Sequence, residues 1–238
     1  MDNAVYATLG RQTSLMSEMQ TVANNLANAS TTGYRSEGLI FAEHVNAIDS
    51  PAGSLSMGHA TAYATSLTQG GLAETGGTYD LAIEGSGFFM LQTPDGQRLT
   101  RAGAFSPDAD GFLAAPDGAL LLDAGAAPLV VPADAQSIDI AADGTVSADG
   151  EPLAQVGLFQ PVDQTTLRRE DGVRFGAGAI EAAEDGRILQ GFVERSNVDP
   201  VGQVARMIEI QRSYEMGQSF LEREDERIKT VIQTLGRV

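Results

Sequence analysis

An α+β architecture is predicted by three observations: an apolar stripe of helical period at each end of the chain, acidic charge concentrated between the stripes, and Asp-Gly pairs recurring through that acidic stretch. Long N- and C-terminal helices that pair and pack in an assembly should flank a central, mainly antiparallel β domain. At the C-terminus Met207, Tyr214, Leu221, Ile228 and Leu235 recur every seven residues. At the N-terminus Val5, Leu9, Gln12, Met16, Met19, Ala23 and Leu26 alternate steps of four and three. A seven-residue repeat keeps one stripe of a helix against a partner, and a helix that is apolar along a stripe must have that stripe covered. The first candidates to cover them are each other and copies of themselves. That points to assembly before catalysis.

The first helix is expected from about Asn3 to Ala29, inside an N-terminal assembly segment 1–32. Ser30-Thr31-Thr32-Gly33 ends it, with β-branched and hydroxyl residues that disfavour helix and a glycine suited to a left-handed cap. Residues 33–75 mix Gly, Ser, Thr and Ala without a sustained period, which predicts an extended arm or loose hairpin. A β-rich outer domain is expected over 76–195. There Tyr79-Asp80-Leu81-Ala82-Ile83-Glu84 alternates, and Phe88-Phe89-Met90-Leu91 is a short apolar run between Gly87 and Pro94. Asp-Gly follows at 95–96, 110–111, 117–118, 143–144, 149–150, 171–172 and 185–186, and such pairs between short apolar segments signal hairpins.

The last segment, 196–238, opens with Asp199 as a cap, Pro200 at the first helical position and Val201 starting the apolar pattern. The helix should run to Leu235, roughly 50 Å at 1.5 Å per residue. Its second seam positions are Ile210, Gly217, Glu224, Val231 and Val238. Gly217 and Glu224 interrupt the apolar set, so a plain two-stranded coil is not expected along the whole length.

A chain of 238 residues with 42% hydrophobic content makes one large or two small domains with a true core. No run approaches eighteen apolar residues, so no membrane span is expected. Met1-Asp2-Asn3-Ala4 lacks the basic and apolar regions of a cleaved signal, which predicts either a cytoplasmic protein or departure by a route that needs none. The absence of cysteine excludes disulfides, thiol nucleophiles and cysteine-ligated metals. A net charge of −17 argues against nucleic acid and anionic membranes as partners. Residues 1–36 balance Asp2 and Glu18 against Arg11 and Arg35, and from Asn197 onward seven acids meet six bases. The middle therefore carries 23 acids against 7 bases, which suits a solvated surface between ends that can pack closely.

Enzyme motifs do not survive inspection. Asp108-Ala109-Asp110-Gly111 lacks the further ligands and closing Glu of a calcium loop and reads as a β-turn. Gly85-Ser86-Gly87 lacks the third glycine of a dinucleotide fingerprint. His44 and His59 have no acidic or nucleophilic partner in sequence, and zinc would need carboxylates to complete a site. Glu184-Asp185 is an acidic pair that nothing singles out as glycosidase carboxylates. No catalytic, cofactor-binding or metal residue is assigned. The cluster Asn24-Asn25-Leu26-Ala27-Asn28 differs, because three asparagines in five residues cost helix stability. Two readings stand: a fraying end, or Asn24 and Asn28, one turn apart, hydrogen-bonding across a helix contact and fixing its register.

Ala23 to Arg35, Ala-Asn-Asn-Leu-Ala-Asn-Ala-Ser-Thr-Thr-Gly-Tyr-Arg, resembles the N-terminal signature of bacterial flagellar rod and hook proteins. Tyr79 to Phe89, followed by Thr100-Arg101-Ala102-Gly103-Ala104-Phe105, is similar to the central signature of that family. Ser196-Asn197-Val198-Asp199, then Met207-Ile208-Glu209 and Arg212-Ser213-Tyr214-Glu215, resembles its C-terminal one. Length and opening look most like the proximal-rod members, with the distal-rod members the nearest competitors. The resemblance implies a non-enzymatic subunit without cofactors, exported by the flagellar type III apparatus and assembled in the periplasmic part of the basal-body rod. Its partners would be itself and other rod proteins, proximal and distal. The helical stripes and the signatures together mark the assembly interface as Val5, Leu9, Met16, Met19, Ala23, Asn24, Asn25, Leu26 and Asn28 toward the N-terminus. Toward the C-terminus they mark Asn197, Met207, Ile210, Tyr214, Leu221, Ile228, Val231 and Leu235. The alternatives are another flagellar axial protein, a secreted cell-wall-active enzyme, or an adhesion module.

Overall fold

The computed structural model describes residues 2–46, 55–183 and 185–235, with backbone alone at 2–6, 41–46 and 55–62. The side chains of Val5, His44 and His59, and residues Glu184 and Val238, lie outside what is described. The chain divides into two compact units. One comprises Met1–Ala27, Glu37–Ser66 and Asp199–Val238; the other comprises Asn28–Ser36 and Leu67–Val198.

The first unit holds α1 (Asp2–Ala27), a hairpin of β1 (Glu37–Asn46) and β2 (Leu55–Thr65), and α2 (Pro200–Leu235). α2 begins where its sequence dictates: Asp199 Oδ1 accepts from the Val201 N–H at 3.1 Å, satisfying one of the donors a helix start leaves open. The two helices run antiparallel. Asn25 reaches Gln203, Glu18 pairs with Arg206, and Gln12 lies against Gly217, where a Cβ would meet its side chain at 3.4 Å. β1 and β2 pair from Glu37↔Thr65 to Asn46↔Leu55 with one slip in register between Ile40 and Phe41, and α1 packs on the hairpin through β2.

Among the described residues the second unit has sixteen short strands. They are β3 (Leu72–Glu74), β4 (Leu81–Glu84), β5 (Phe89–Thr93), β6 (Gly96–Thr100), β7 (Ser106–Pro107), β8 (Leu113–Ala114), β9 (Leu120–Leu121), β10 (Ile138–Ile140), β11 (Thr145–Ala148) and β12 (Glu151–Gln155). After these come β13 (Phe159–Pro161), β14 (Arg168–Asp171), β15 (Arg174–Gly176), β16 (Ile180–Ala182), β17 (Arg187–Gln190) and β18 (Phe192–Glu194). The largest sheet has the order β14-β15-β6-β5-β9-β8-β7; β10-β11-β12 form a second, and β13-β16, β17-β4 and β18-β3 pair separately. All named pairings are antiparallel.

The apolar run at Phe88–Leu91 reflects burial on both faces. Phe89 and Leu91 enter a core with Leu81, Ile83, Leu121 and Val146, while Phe88 and Met90 point the other way, into a cluster with Leu99, Leu122 and Phe175. The Asp-Gly pairs at 95–96, 110–111, 117–118, 143–144, 149–150 and 171–172 each join strands that pair with one another. At Asp149-Gly150 both residues have positive φ, 51° and 84°, the geometry whose twist matches a tight hairpin. Asp185-Gly186 departs from the pattern, because β16 pairs with β13 and β17 with β4.

Gly103 sits so close to β4 that a Cβ would fall 1.6 Å from the Leu81 carbonyl oxygen, whereas a Cβ on Gly71 meets nothing within 4 Å. Gly103→Ala should therefore destabilise the second unit by about 3 kcal/mol or more, at or above the upper end of ordinary overpacking. Gly71→Ala should leave it within about 0.5 kcal/mol. Equilibrium urea unfolding of the two variants measures the difference.

Candidate assembly site

In the first unit α2 turns its seam residues toward α1. Gln203, Met207, Tyr214, Gly217, Leu221 and Glu224 are half-buried and Ile210 is buried, spaced by alternating fours and threes. With Gln12 opposite Gly217, an antiparallel α1 reaches its first turn near Arg227. The same stripe continues past that point as Ile228, Val231 and Leu235, which are 43%, 48% and 71% exposed.

α1 presents a different face from the one its apolar period suggests. Leu9 and Met16 are 46% and 48% exposed, and Ala23 and Asn24 are exposed as well; Met19 and Leu26 are half-buried. The buried positions are Ser14, Thr21, Val22 and Asn25. Ser14 and Thr21 can be buried because each hydroxyl donates to a carbonyl of its own helix, Gly10 and Ser17, at 3.1 Å. Their spacing with Glu18 and Asn25 (14, 18, 21, 25) is itself a seam period, and that was the signal available in sequence. Glu18 and Glu209 bracket Arg206 and raise its pKa, chiefly through the Glu18 hydrogen bond.

The asparagine cluster splits three ways. Asn25 reaches across: its amide donates to the Glu37 carbonyl at 2.7 Å and its oxygen accepts from the Glu37 N–H at 2.9 Å, as a strand would. Asn28, in the second unit, accepts from the Thr31 hydroxyl at 3.1 Å as the chain leaves the helix, and Asn24 is exposed.

The second unit contains a constellation that sequence reasoning missed. Glu194, 1% exposed, receives Arg35 on one carboxylate oxygen and Arg101 on the other, both at 3.0 Å. The first oxygen also accepts from the Gly70 N–H at 2.9 Å, and the Glu194 carbonyl accepts from Gly33 at 2.7 Å. Arg35 donates to the carbonyls of Leu67 and Thr68, and Arg101 to that of Gly85. Two guanidiniums sharing one carboxylate leave a buried charge of +1, and the Nε of each is buried without a hydrogen-bond partner. Burial pulls the Arg35 pKa down to about 10, opposed by Glu194 and reinforced by Arg101, so it stays protonated at neutral pH. Burial likewise lowers Arg101, against the pull of Glu194.

Arg169 closes this node from outside the three signatures, lying 4.3 Å over the Tyr34 ring and 4.8 Å over Phe175 while donating to the Arg35 carbonyl. Asn197 then laces the neighbouring backbone. Its N–H donates to the Tyr34 carbonyl at 3.2 Å, its oxygen accepts from Ser36 at 2.6 Å, and its amide donates to Thr68 at 2.8 Å. The site residues of the terminal signatures thus fall into two sets, one on the helices of the first unit and one in this node. Among the described residues no cluster of His, Cys, Asp or Glu is placed to hold a metal, and no helix is long and apolar enough to cross a membrane.

Three family models match the chain: a flagella basal body rod protein model over residues 6–35, the D1 domain of the flagellar hook protein FlgE/F/G over 82–148, and the C-terminal model of the flagellar basal body rod FlgEFG proteins over 189–234. The chain is 36% identical to the flagellar basal-body rod protein FlgF of Caulobacter vibrioides, with all of both chains covered. It is 34% identical to FlgF of Mesorhizobium japonicum over 99% of each, and 29% identical to the basal-body rod protein FlgG of Bacillus subtilis over 98% of each.

Each matched segment contributes one member of the ionic node: Arg35, Arg101 and Glu194. Removing the carboxylate leaves two buried like charges together, so Glu194→Gln should cost the second unit about 3–5 kcal/mol. The exposed Arg187–Glu84 pair gives the contrast, and Arg187→Gln should cost less than about 1 kcal/mol. Thermal unfolding followed by near-UV circular dichroism reads both.

Proposed function

This chain belongs to the family of flagellar basal-body rod proteins, and on that premise we propose that it joins its neighbours in the rod through the terminal helices, with the acidic β-rich unit left to solvent. It is a structural subunit of the basal body rather than an enzyme, and it associates with other rod proteins. The FlgF-like identity favours the proximal rod. Passage through the flagellar type III export apparatus without a cleaved signal, and a place in the periplasmic part of the rod, complete the proposal; a cysteine-free chain suits that compartment.

For the functional division we take 1–32 and 196–238 as assembly segments, 33–75 as an arm and 76–195 as the outer domain. The compact units cut the chain elsewhere, because Asn28–Ser36 is built into the β-rich unit. The interface assigned to Val5, Leu9, Met16, Met19, Ala23, Met207, Ile210, Tyr214, Leu221, Ile228, Val231 and Leu235 then has two parts. Met207, Ile210, Tyr214 and Leu221 set up the helical pair, and the exposed residues face neighbours.

The observation that carries this reading is the apolar stripe of α2 left uncovered beyond α1, at Ile228, Val231 and Leu235. Fully burying such a side chain is worth about 1.5–3 kcal/mol, so covering two that are half exposed contributes roughly 1.5–3 kcal/mol to every subunit contact. Ile228→Ser combined with Leu235→Ser should therefore abolish swimming and rod formation while both units keep the unfolding profile of the unaltered chain. Normal motility in the double variant would refute the reading.

A further inference from the structure

We infer that the overhanging end of α2, from Ile228 to Leu235, seats on the outward stripe of α1 in a second copy of this chain. The inference rests on the rod reading and specifies which surfaces meet. The stripe of α2 that holds its own α1 runs on without a change of period. Tyr214, Gly217, Leu221 and Glu224 are covered to half or more, and Ile228, Val231 and Leu235 follow at the next seam positions, exposed. A continuous stripe calls for the same kind of cover along its length, namely a second helix lying alongside. Its own α1 cannot supply it, because that helix ends near Arg227 when Gln12 stands opposite Gly217.

α1 carries a matching surface. Leu9, Met16 and Ala23 repeat every seven residues on the side turned away from α2, and the exposed residues between them, Thr13 and Gln20, are uncharged. The exposed Arg11 lies about 160° around the helix from Leu9 at 3.6 residues per turn. Between Lys229 and Arg237 the end of the chain carries no charged side chain, and Lys229 lies about 100° around the helix from Ile228. Two uncharged stripes meet without stranding an ion, whereas a charged cover would lose its hydration against either. In a rod each copy offers the overhang to one neighbour and the α1 stripe to the next, so the contact is heterologous and propagates instead of closing as a reciprocal dimer.

The chain contains no cysteine, so a pair of introduced cysteines reports this contact alone. Met16→Cys with Val231→Cys in one chain, incorporated into basal bodies isolated from cells and oxidised, should give a ladder of dimers, trimers and higher species on an unreduced gel. Each single variant should stay monomeric. A second pair one turn along in the same antiparallel register, Thr13→Cys with Leu235→Cys, should give the same ladder. A dimer from Met16→Cys alone would mean that two α1 stripes meet symmetrically, and would overturn the pairing. Monomer from both incorporated pairs would overturn it too, in favour of a different rod protein as cover. If the unaltered chain is itself absent from basal bodies, the rod reading fails and the pairing falls with it.

Discussion

A single carboxylate, Glu194, holds together the parts of the second unit that lie farthest apart in sequence. Arg101 is 93 residues from it, and Arg35 is farther still, near the start of the unit as Glu194 is near its end. A buried ion pair gives little net stability in itself, because desolvation consumes most of the Coulombic gain. Its importance lies in what its absence would do: either arginine buried without the acid would be strongly unfavourable, so both must be in place together. The backbone is arranged accordingly. Gly33 and Gly70 donate to Glu194 from either side, and Arg169 covers Tyr34. Residues 28–36 thus belong to the β-rich unit although they directly follow a helix of the other unit.

Two asparagines extend this logic to adjacent residues of one connection. Asn197 accepts from Ser36 within the β-rich unit, and Asn25 exchanges two hydrogen bonds with Glu37 within the helical unit. An asparagine side chain carries the same donor and acceptor pair as a peptide, so it can pair with an extended segment where no strand is available. That use accounts for asparagine near a helix end, where its low helical propensity would otherwise be a pure cost.

The legible parts of the sequence were those set by local chemistry. The Asp199-Pro200 start of α2, the period of its seam and the Asp-Gly turns between paired strands each depend on residues a few positions apart, and the structure places them as the pattern implies. Asp185-Gly186 misleads because the strands on either side of it take partners elsewhere, a long-range outcome no local signal encodes. The ionic node was illegible for the same reason. Arg35 and Arg101 stood inside the recognised signatures, but nothing in sequence connects them to Glu194, two residues before the C-terminal one. The face that α1 turns to α2 was illegible on a different ground. Apolar period locates a stripe that needs cover, but it does not say whether the cover lies within the molecule.

A lone helix pair would be expected to turn Leu9 and Met16 inward and leave Ser14 and Thr21 to water, since apolar burial is the main gain in folding. Here the order is reversed, and the hydroxyls are spared an unsatisfied burial by bonding to their own helix. The isolated subunit forgoes part of the stabilisation its composition could supply. The forgone part stays on the surface as uncharged stripes on α1 and at the tip of α2, available only when another chain covers them. On the proposed reading, a subunit built this way gains most from its neighbours, because the apolar surfaces left open on it are the ones they would cover.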